Sequence, residues 1–350
     1  MTKVGIVGSG QLGLMLCEAA QKLKIETVIY SPERNAPAEV AATKTVIGAY
    51  DDLKALQTFA ESVDLITFEF ENIPLETLKH LVKEVPVFPS PETLHIKQNR
   101  LREKNYLKEI ELPVADFLPV KNISDLESAI KTLGYPVILK TAGFGYDGKG
   151  QQKIKNAEDL IALKKNFQQS EYILEKMIPF EREVSVLAAR NQKGEMIFYP
   201  LIENLHQNHM LHSSTCPASD SDFLQEQAEV IATRLLESLD YVGILCIELF
   251  VLNGELMINE FSPRVHNSGH LTIEAFETSQ FEQHLRAITN MPFGPVEQKS
   301  EAVMINLLGD LWQNGQPDFG QYQANPKAFL HLYGKEPRPG RKVGHVTVLQ

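Results

Sequence analysis

The chain has 350 residues, 43% hydrophobic and 23% charged, with a formal net charge of −11 at pH 7. That length supports two or three domains with sizeable cores, the acidic balance argues against a general nucleic-acid or anionic-membrane surface, and there is no run of ~18 apolar residues to span a membrane. Cys17, Cys216 and Cys246 are isolated, without metal or redox spacing, and Met1-Thr2-Lys3 leads straight into an apolar strand rather than a signal peptide, so a cytoplasmic protein with reduced thiols is expected.

In chain order, KVGIVGSG (3–10) reads as a strand entering a Gly-rich turn, QLGLMLCEAAQKLK (11–24) as an amphipathic helix and ETVIYS (26–31) as a second strand. KTVIGAY (44–50) and DLITFEFENI (64–73) bracket a helix over 51–62. This alternation predicts a doubly wound parallel sheet, closed by the break PVFPSPETL (86–94) and followed by a charged helix at about 97–109. A second unit begins near Leu112-Pro113. PVILKTAGFGYDGKGQQKI (136–154) reads as strand, Gly-rich loop and strand, YILEKMIP (172–179) as a strand, and 182–202 as a hairpin around Gln192-Lys193-Gly194. A long helix over 221–239 precedes a further hairpin, SQFEQHLRAIT (279–289) is helical, and 295–350 holds short strands with turns. The fold class is α/β combined with α+β.

Gly8-Ser9-Gly10-Gln11-Leu12-Gly13 matches GxGxxG between a strand and a helix, the context of a dinucleotide fingerprint. Taken alone it suggests an NAD-dependent oxidoreductase, but the acidic residue after the second strand is poorly placed, since Glu33 follows Pro32. Glycines at a helix N-terminus serve any phosphorylated ligand equally, and purely structural glycines remain open. Further on, Lys140 ends an apolar strand before the loop 143–150, whose spacing is not that of a Walker A loop. Such a loop can still fold over phosphates, with N–H donors and the charges of Lys140 and Lys149. ILEKMI (173–178) resembles a hinge whose backbone reads an adenine edge, with Glu175 at its rim.

In IELFVLNGELMINEF (247–261), Asn253-Gly254 marks a β-hairpin carrying Glu248 and Glu260. Two like charges ~5 Å apart repel by about 3 kcal/mol at an effective dielectric of 20, so a shared Mg²⁺ is one reading. A strict two-residue loop sets Glu248 opposite Asn259 and turns Glu260 to the other face. The metal reading needs a three-residue loop or a bulge, and the hairpin alone leaves metal ligands and solvated charges equally open. His206, His209 and His212 lack supporting ligands at metal spacing and are set aside as a metal cluster. Glu69 and Glu71 alternate on one strand face, where an exposed strand end is the simple reading. Lys335, Arg338, Arg341 and Lys342 form a basic turn suited to a phosphate.

Lys140, the 143–150 loop, EKMI, Glu183 and the Glu248/Glu260 pair together resemble the ATP-grasp superfamily. GSGQLG (8–13), FEFENI (68–73), GYDGKGQ (145–151), NLHQ (204–207), NEFSPRVHNSGH (259–270) and KEPRPGRKVGH (335–345) look like the 5-(carboxyamino)imidazole ribonucleotide synthases, over the whole chain and in order. The resemblance implies an ATP-grasp fold with an N-terminal Rossmann-like (pre-ATP-grasp) domain at 1–96. An ATP-grasp domain follows at 97–294, with its lid at about 112–180, and then a small C-terminal β-rich domain at 295–350, shorter than usual and expected to be truncated. It implies ATP-dependent carboxylation of aminoimidazole ribonucleotide with bicarbonate in purine biosynthesis, with ATP and Mg²⁺ as cofactors and a homodimer as the assembly, and with no nucleic-acid or membrane partner.

By position, the resemblance places Arg100, Lys140, Gly145, Tyr146, Asp147, Gly148, Lys149, Gly150, Glu175, Lys176, Met177, Ile178, Glu183, His206, Asn259 and Glu260 at ATP. Glu248 and Glu260 would hold Mg²⁺. Gly10, Gln11, Leu12, Glu71, Asn267, Lys335, Arg341 and Lys342 would hold substrate, and Arg264, His266, Asp147 and Tyr146 would be catalytic. Ser262 stands where many ATP-grasp enzymes carry an Asn, which weakens a third protein ligand to the metal. The rival readings are another ATP-grasp ligase, such as a formate-using glycinamide ribonucleotide transformylase, and a non-catalytic nucleotide-binding module.

Overall fold

The computed structural model describes residues 2–143, 150–219 and 222–350. Strands β1 (Lys3–Val7), β2 (Glu26–Ser31), β3 (Lys44–Ile47) and β4 (Leu65–Phe68) form the expected parallel sheet in the order β3-β2-β1-β4. The helix Gln11–Lys22 buries Leu12, Met15, Leu16 and Ala19, the i, i+3, i+4, i+7 face of an amphipathic helix. The ends of β1 and β4 and the start of this helix meet at one edge, where open α/β sheets bind ligands.

The charged helix expected at 97–109 is two helices, Pro91–Lys97 and Arg100–Glu109. The break falls at Asn99, whose side chain accepts from the N–H groups of Leu101 (2.9 Å) and Arg102 (3.1 Å) and caps the second helix. Next, β5 (Phe117–Val120), β6 (Val137–Thr141), β7 (Gln151–Ile154) and β8 (Tyr172–Lys176) form an antiparallel sheet, order β5-β8-β6-β7. The sequence reading missed β5, a four-residue run holding Pro119. Proline is confined to sheet edges because it cannot donate to a ladder, and β5 is an edge.

The remaining strands make one sheet of nine. They are β9 (Arg182–Arg190), β10 (Met196–Phe198), β11 (Ile202–Gln207), β12 (Met210–Cys216), β13 (Gly243–Leu252), β14 (Glu255–Ser262), β15 (Ala302–Leu308), β16 (Ala328–Leu332) and β17 (Lys342–Leu349). Their order is β14-β13-β9-β11-β12-β15-β17-β16, with β10 on β9. The last three strands therefore continue the central sheet rather than building a sheet of their own. The helix Asp222–Ser238 packs Leu224, Ala228, Ile231, Leu235 and Leu236 into the core on one face of this sheet.

The β13–β14 turn settles the register of the two glutamates. Leu252 pairs with Glu255, so the loop is the strict two-residue Asn253-Gly254. Asn253 has φ 51° and Gly254 φ 76°, the left-handed pair that a type I′ turn requires. The register then shifts between Glu248 and Leu249: Leu249 pairs with Ile258 and Glu248 with Glu260. Asn259 is the extra residue of a bulge, and the bulge brings both glutamates to one face.

Candidate active site

A cleft of about 900 Å³ opens between the three sheets, lined among others by Gln11 and Glu71, Lys140 and Glu175, and Glu248 and Glu260. On the side of the β5–β8 sheet, Lys140 Nζ lies 2.6 Å from Glu175 Oε2. Burial opposes the Glu175 carboxylate, but Lys140 and Lys104 outweigh it and hold its pKa below the ordinary value. Arg100 donates to the Thr141 carbonyl at 2.9 Å. Ile138, Phe180 and Phe250 add apolar surface, the last two stacked with centroids 4.5 Å apart. Glu183 Oε2 is 3.1 Å from His206 Nδ1, and burial of this histidine is outweighed by Glu183, which raises its pKa.

Both hairpin glutamates already face cations. Glu260 Oε2 lies 2.5 Å from Lys97 Nζ, which also contacts Glu103 at 3.3 Å. Burial disfavours the Glu260 carboxylate, yet Lys97, Arg100 and Lys140 hold its pKa well below the usual range. Burial pushes the Glu103 carboxyl up to about 7 against the pull of Lys97. Glu248 Oε1 lies 3.1 Å from His266 Nε2, and although burial disfavours its charge, His266 lowers its pKa. Lys104 Nζ donates to the carbonyls of Ile258 (3.1 Å) and Asn259 (2.7 Å), pinning the bulge from behind. Two opposed carboxylates on one cleft face are the hard oxygen donors Mg²⁺ takes. Among the described residues, Glu183, His206 and Glu248 also offer ligand atoms within 4.8 Å of one another. His206 thus sits with carboxylates, which the sequence did not indicate, and not in a cluster with His209 and His212.

On the N-terminal side, Arg264 Nη2 lies 3.0 Å from Glu71 Oε1, and Lys335 Nζ contacts Gln11 Oε1. Burial lowers the pKa of Lys335 to about 8. Asn267 and Asn306 exchange side-chain hydrogen bonds of 3.0 and 2.8 Å. Lys342 lines the cleft.

The Gly-rich turn is filled by the protein itself. Glu69 accepts from the N–H groups of Gly10 (2.5 Å) and Gly13 (2.8 Å) and is 6% exposed, which corrects the strand-end reading. A Cβ at Gly8 would stand 2.5 Å from Glu69 Cγ, and one at Gly10 2.8 Å from Glu69 Oε1. These glycines make room for a carboxylate, and a dinucleotide phosphate has no place on the same N–H groups. Gly10, Gln11 and Leu12 still line the cleft.

Two expected contacts are corrected. Lys176 turns its ammonium onto the carbonyls of Leu133 (2.9 Å), Gly134 (3.4 Å) and Tyr135 (3.3 Å), which takes its side chain away from the cleft. Arg341 bonds the Glu336 carbonyl at 3.1 Å and is not among the residues lining the cleft. The Lys176 and Met177 N–H groups are donated to Asp116 and Pro136 carbonyls at 2.8 and 3.1 Å, so two of the backbone donors of the hinge 175–178 are taken within the protein. Gly150 closes the loop strand, its carbonyl accepting from Thr141 N–H at 3.0 Å. Gly145, Tyr146, Asp147, Gly148 and Lys149 lie outside the described residues. Sequence reasoning missed Lys97, Glu103, Lys104, Glu69, Phe180 and Phe250.

Comparison with known proteins agrees with this architecture. The ATP-grasp domain family matches residues 105–281, the ribonucleotide synthetase preATP-grasp domain residues 1–98, and the phosphoribosylaminoimidazole carboxylase C-terminal domain residues 302–350. The fold and cleft are those of an ATP-grasp ligase. A curated N5-carboxyaminoimidazole ribonucleotide synthase of Brucella melitensis is 43% identical over 98% of this chain and 95% of its own. The crystal structure of the Thermus thermophilus synthetase is 42% identical, with a TM-score of 0.92, over 99% of this chain and 93% of its own. That of the Aspergillus clavatus synthase, in complex with ADP and 5-aminoimidazole ribonucleotide, is 29% identical with a TM-score of 0.90, over 100% and 94%. The chain belongs to the N5-carboxyaminoimidazole ribonucleotide synthase family.

Proposed function

We propose that this chain carries out the reaction of its family, the ATP-dependent carboxylation of 5-aminoimidazole ribonucleotide with bicarbonate in purine biosynthesis, with the cleft residues in the following roles. The observation that carries the reading is the bulged pairing of Glu248 with Glu260, facing Lys140 across one cleft.

Lys140 and Arg100 receive the ATP phosphates, as charges of opposite sign at a desolvated site. The hinge at 175–178, with Ile138 and Phe250, receives the base, and Glu183 and His206 complete the nucleotide side. Glu248 and Glu260, with Asn259 beside them, would hold Mg²⁺, which when bound supplies charge neutralisation at the transferring phosphoryl group. A bicarbonate oxygen attacks the γ-phosphorus and ADP leaves, giving carboxyphosphate. The exocyclic amine of the ribonucleotide then takes the carboxyl carbon, directly or as CO₂ kept in the closed cleft, and phosphate departs. Arg264, held by Glu71, presents a planar fork to bicarbonate. His266, a cation beside Glu248, orients the amine, and, beyond the described residues, Tyr146 and Asp147 stand as the catalytic groups that take its proton. Gln11, Asn267, Lys335 and Lys342 hold the ribonucleotide. A homodimer and a cytoplasmic setting complete the proposal.

Bicarbonate labelled with ¹⁸O tests the first step. Transfer of one label into the released phosphate is expected. Unlabelled phosphate would mean that water, and not bicarbonate, attacks ATP.

A further inference from the structure

Asn306 is 6% exposed and is not among the residues lining the cleft, yet it spends its side-chain amide on a residue that is. It lies on β15 one residue past Ile305, where the β12–β15 ladder ends. Its Nδ2 donates to the Leu211 carbonyl on β12 (2.8 Å) and to Asn267 Oδ1 (2.8 Å), and its Oδ1 accepts from Asn267 Nδ2 (3.0 Å). A buried amide is costly unless satisfied, and this one uses both of its N–H groups.

The Leu211 carbonyl gives the pair one orientation. An amide can turn over about its last side-chain bond, exchanging oxygen for nitrogen, and a face-to-face pair of amides survives if both turn together. Here the turned pair would set Asn306 Oδ1 against the Leu211 oxygen, two acceptors 2.8 Å apart. The orientation is therefore fixed from the β12 backbone through Asn306 to Asn267. Beyond this pair Asn267 has one N–H and one lone pair to offer, each on a set side, and Asn267 lines the cleft. The course of its loop is held separately. Gln280 accepts from the His266 N–H (2.9 Å) and donates to the His266 carbonyl (2.6 Å), and a Cβ at Gly269 would stand 2.7 Å from the Gln280 amide carbon. What Asn306 adds is the rotation of one side chain.

We propose that Asn306 is a positioning residue for the acceptor ribonucleotide: paired with Asn267 and anchored on the Leu211 carbonyl, it holds the Asn267 amide as a donor and acceptor of fixed direction in the cleft. The proposal rests on the function proposed above, in which Asn267 touches the ribonucleotide. A side chain oriented before the substrate arrives loses little rotamer freedom on binding, so its hydrogen bonds go to affinity. A freely turning Asn267 would weaken ribonucleotide binding and leave the ATP side of the cleft unchanged.

Steady-state kinetics of the wild type, Asn306→Leu, Asn267→Ala and the double variant test it. Asn306→Leu keeps the side-chain size and removes every hydrogen bond. It should raise KM for 5-aminoimidazole ribonucleotide about tenfold, with KM for ATP unchanged. Asn267→Ala should raise it at least as far, and Asn306→Leu should add nothing in that background, because it acts through Asn267. Additive effects in the double variant, an unchanged KM for the ribonucleotide in Asn306→Leu, or an equal rise in both KM values would overturn the proposal and leave the function standing. If Asn306→Leu does not fold, a crystal structure of the wild type with the ribonucleotide decides. Asn267 is expected within hydrogen-bond distance of the ligand and still paired with Asn306; a ligand out of its reach, or a broken pair, would overturn the proposal. A wild type without ribonucleotide-dependent turnover would sink the function and the proposal with it.

Discussion

At Glu69 the protein supplies from within the anion that a Gly-rich turn otherwise binds from solution. Its carboxylate satisfies the Gly10 and Gly13 N–H groups. Burial raises its pKa, and those two N–H donors, with Lys335 and Arg264, pull it back. Replacing it by leucine would orphan both N–H groups at about 1–3 kcal/mol each. Glu69→Leu should therefore lower Tm by several degrees, with Glu69→Gln intermediate, in a thermal melt. An unchanged Tm would show that the turn does not depend on the carboxylate. The sequence displayed the GxGxxG turn and the glutamate but not their contact, which joins residues 56 apart. A charged residue ending an apolar strand reads as exposed because ionised side chains are rarely fully buried unless paired.

The two elements that meet at the metal-side glutamates differ in how readable they are. Asn-Gly between apolar runs announces the β13–β14 hairpin, and the constraint that Glu248 and Glu260 share a face narrows its geometry to an odd loop or a bulge. Choosing between them needed the backbone. The helix Arg100–Glu109 is the opposite case: its composition is that of a solvated helix, yet Glu103 and Lys104 are 1% and 3% exposed. Hydrophobic periodicity carries no signal for a face buried through charge. Burial lowers the Lys104 pKa, and its ammonium holds the two bulge carbonyls. Lys104→Met should leave those acceptors unpaired, cost about 1–3 kcal/mol of stability, and lower turnover at least tenfold through a displaced Glu260. Full activity in a folded Lys104→Met protein would remove Lys104 from this role. Glu260→Gln should abolish ADP formation in a protein that still folds, and unimpaired ATP cleavage in that variant would remove the metal assignment.

Across the whole molecule, three buried histidines set an acid limit. Burial lowers the pKa of His284 to about 3, with its ring between Thr67 Oγ1 (2.8 Å) and the Ile244 N–H (3.1 Å). Burial also drives His270 and His345 well below the ordinary value, helped by their histidine neighbours. A histidine with a depressed folded pKa takes up its proton on unfolding, so the unfolded state binds more protons below pH ~6.5. Stability is then fully present above ~6.5 and falls with decreasing pH, by up to about 1.4 kcal/mol per pH unit for each such group. These three groups should make Tm fall between pH 6.5 and pH 5; a flat Tm over that range would contradict these assignments. The three-sheet architecture was legible as two units and a strand-rich tail. That the tail continues the central sheet, so that Asn306 of β15 holds Asn267 at the cleft, is a non-local pairing no periodicity encodes.

The most direct test of the account is ADP release by the purified protein with MgATP, assayed with each carbon donor and acceptor in turn. Release that requires bicarbonate and 5-aminoimidazole ribonucleotide together, with N5-carboxyaminoimidazole ribonucleotide formed one-for-one, is predicted. Equal release with formate and glycinamide ribonucleotide, or none with any pair, would contradict it.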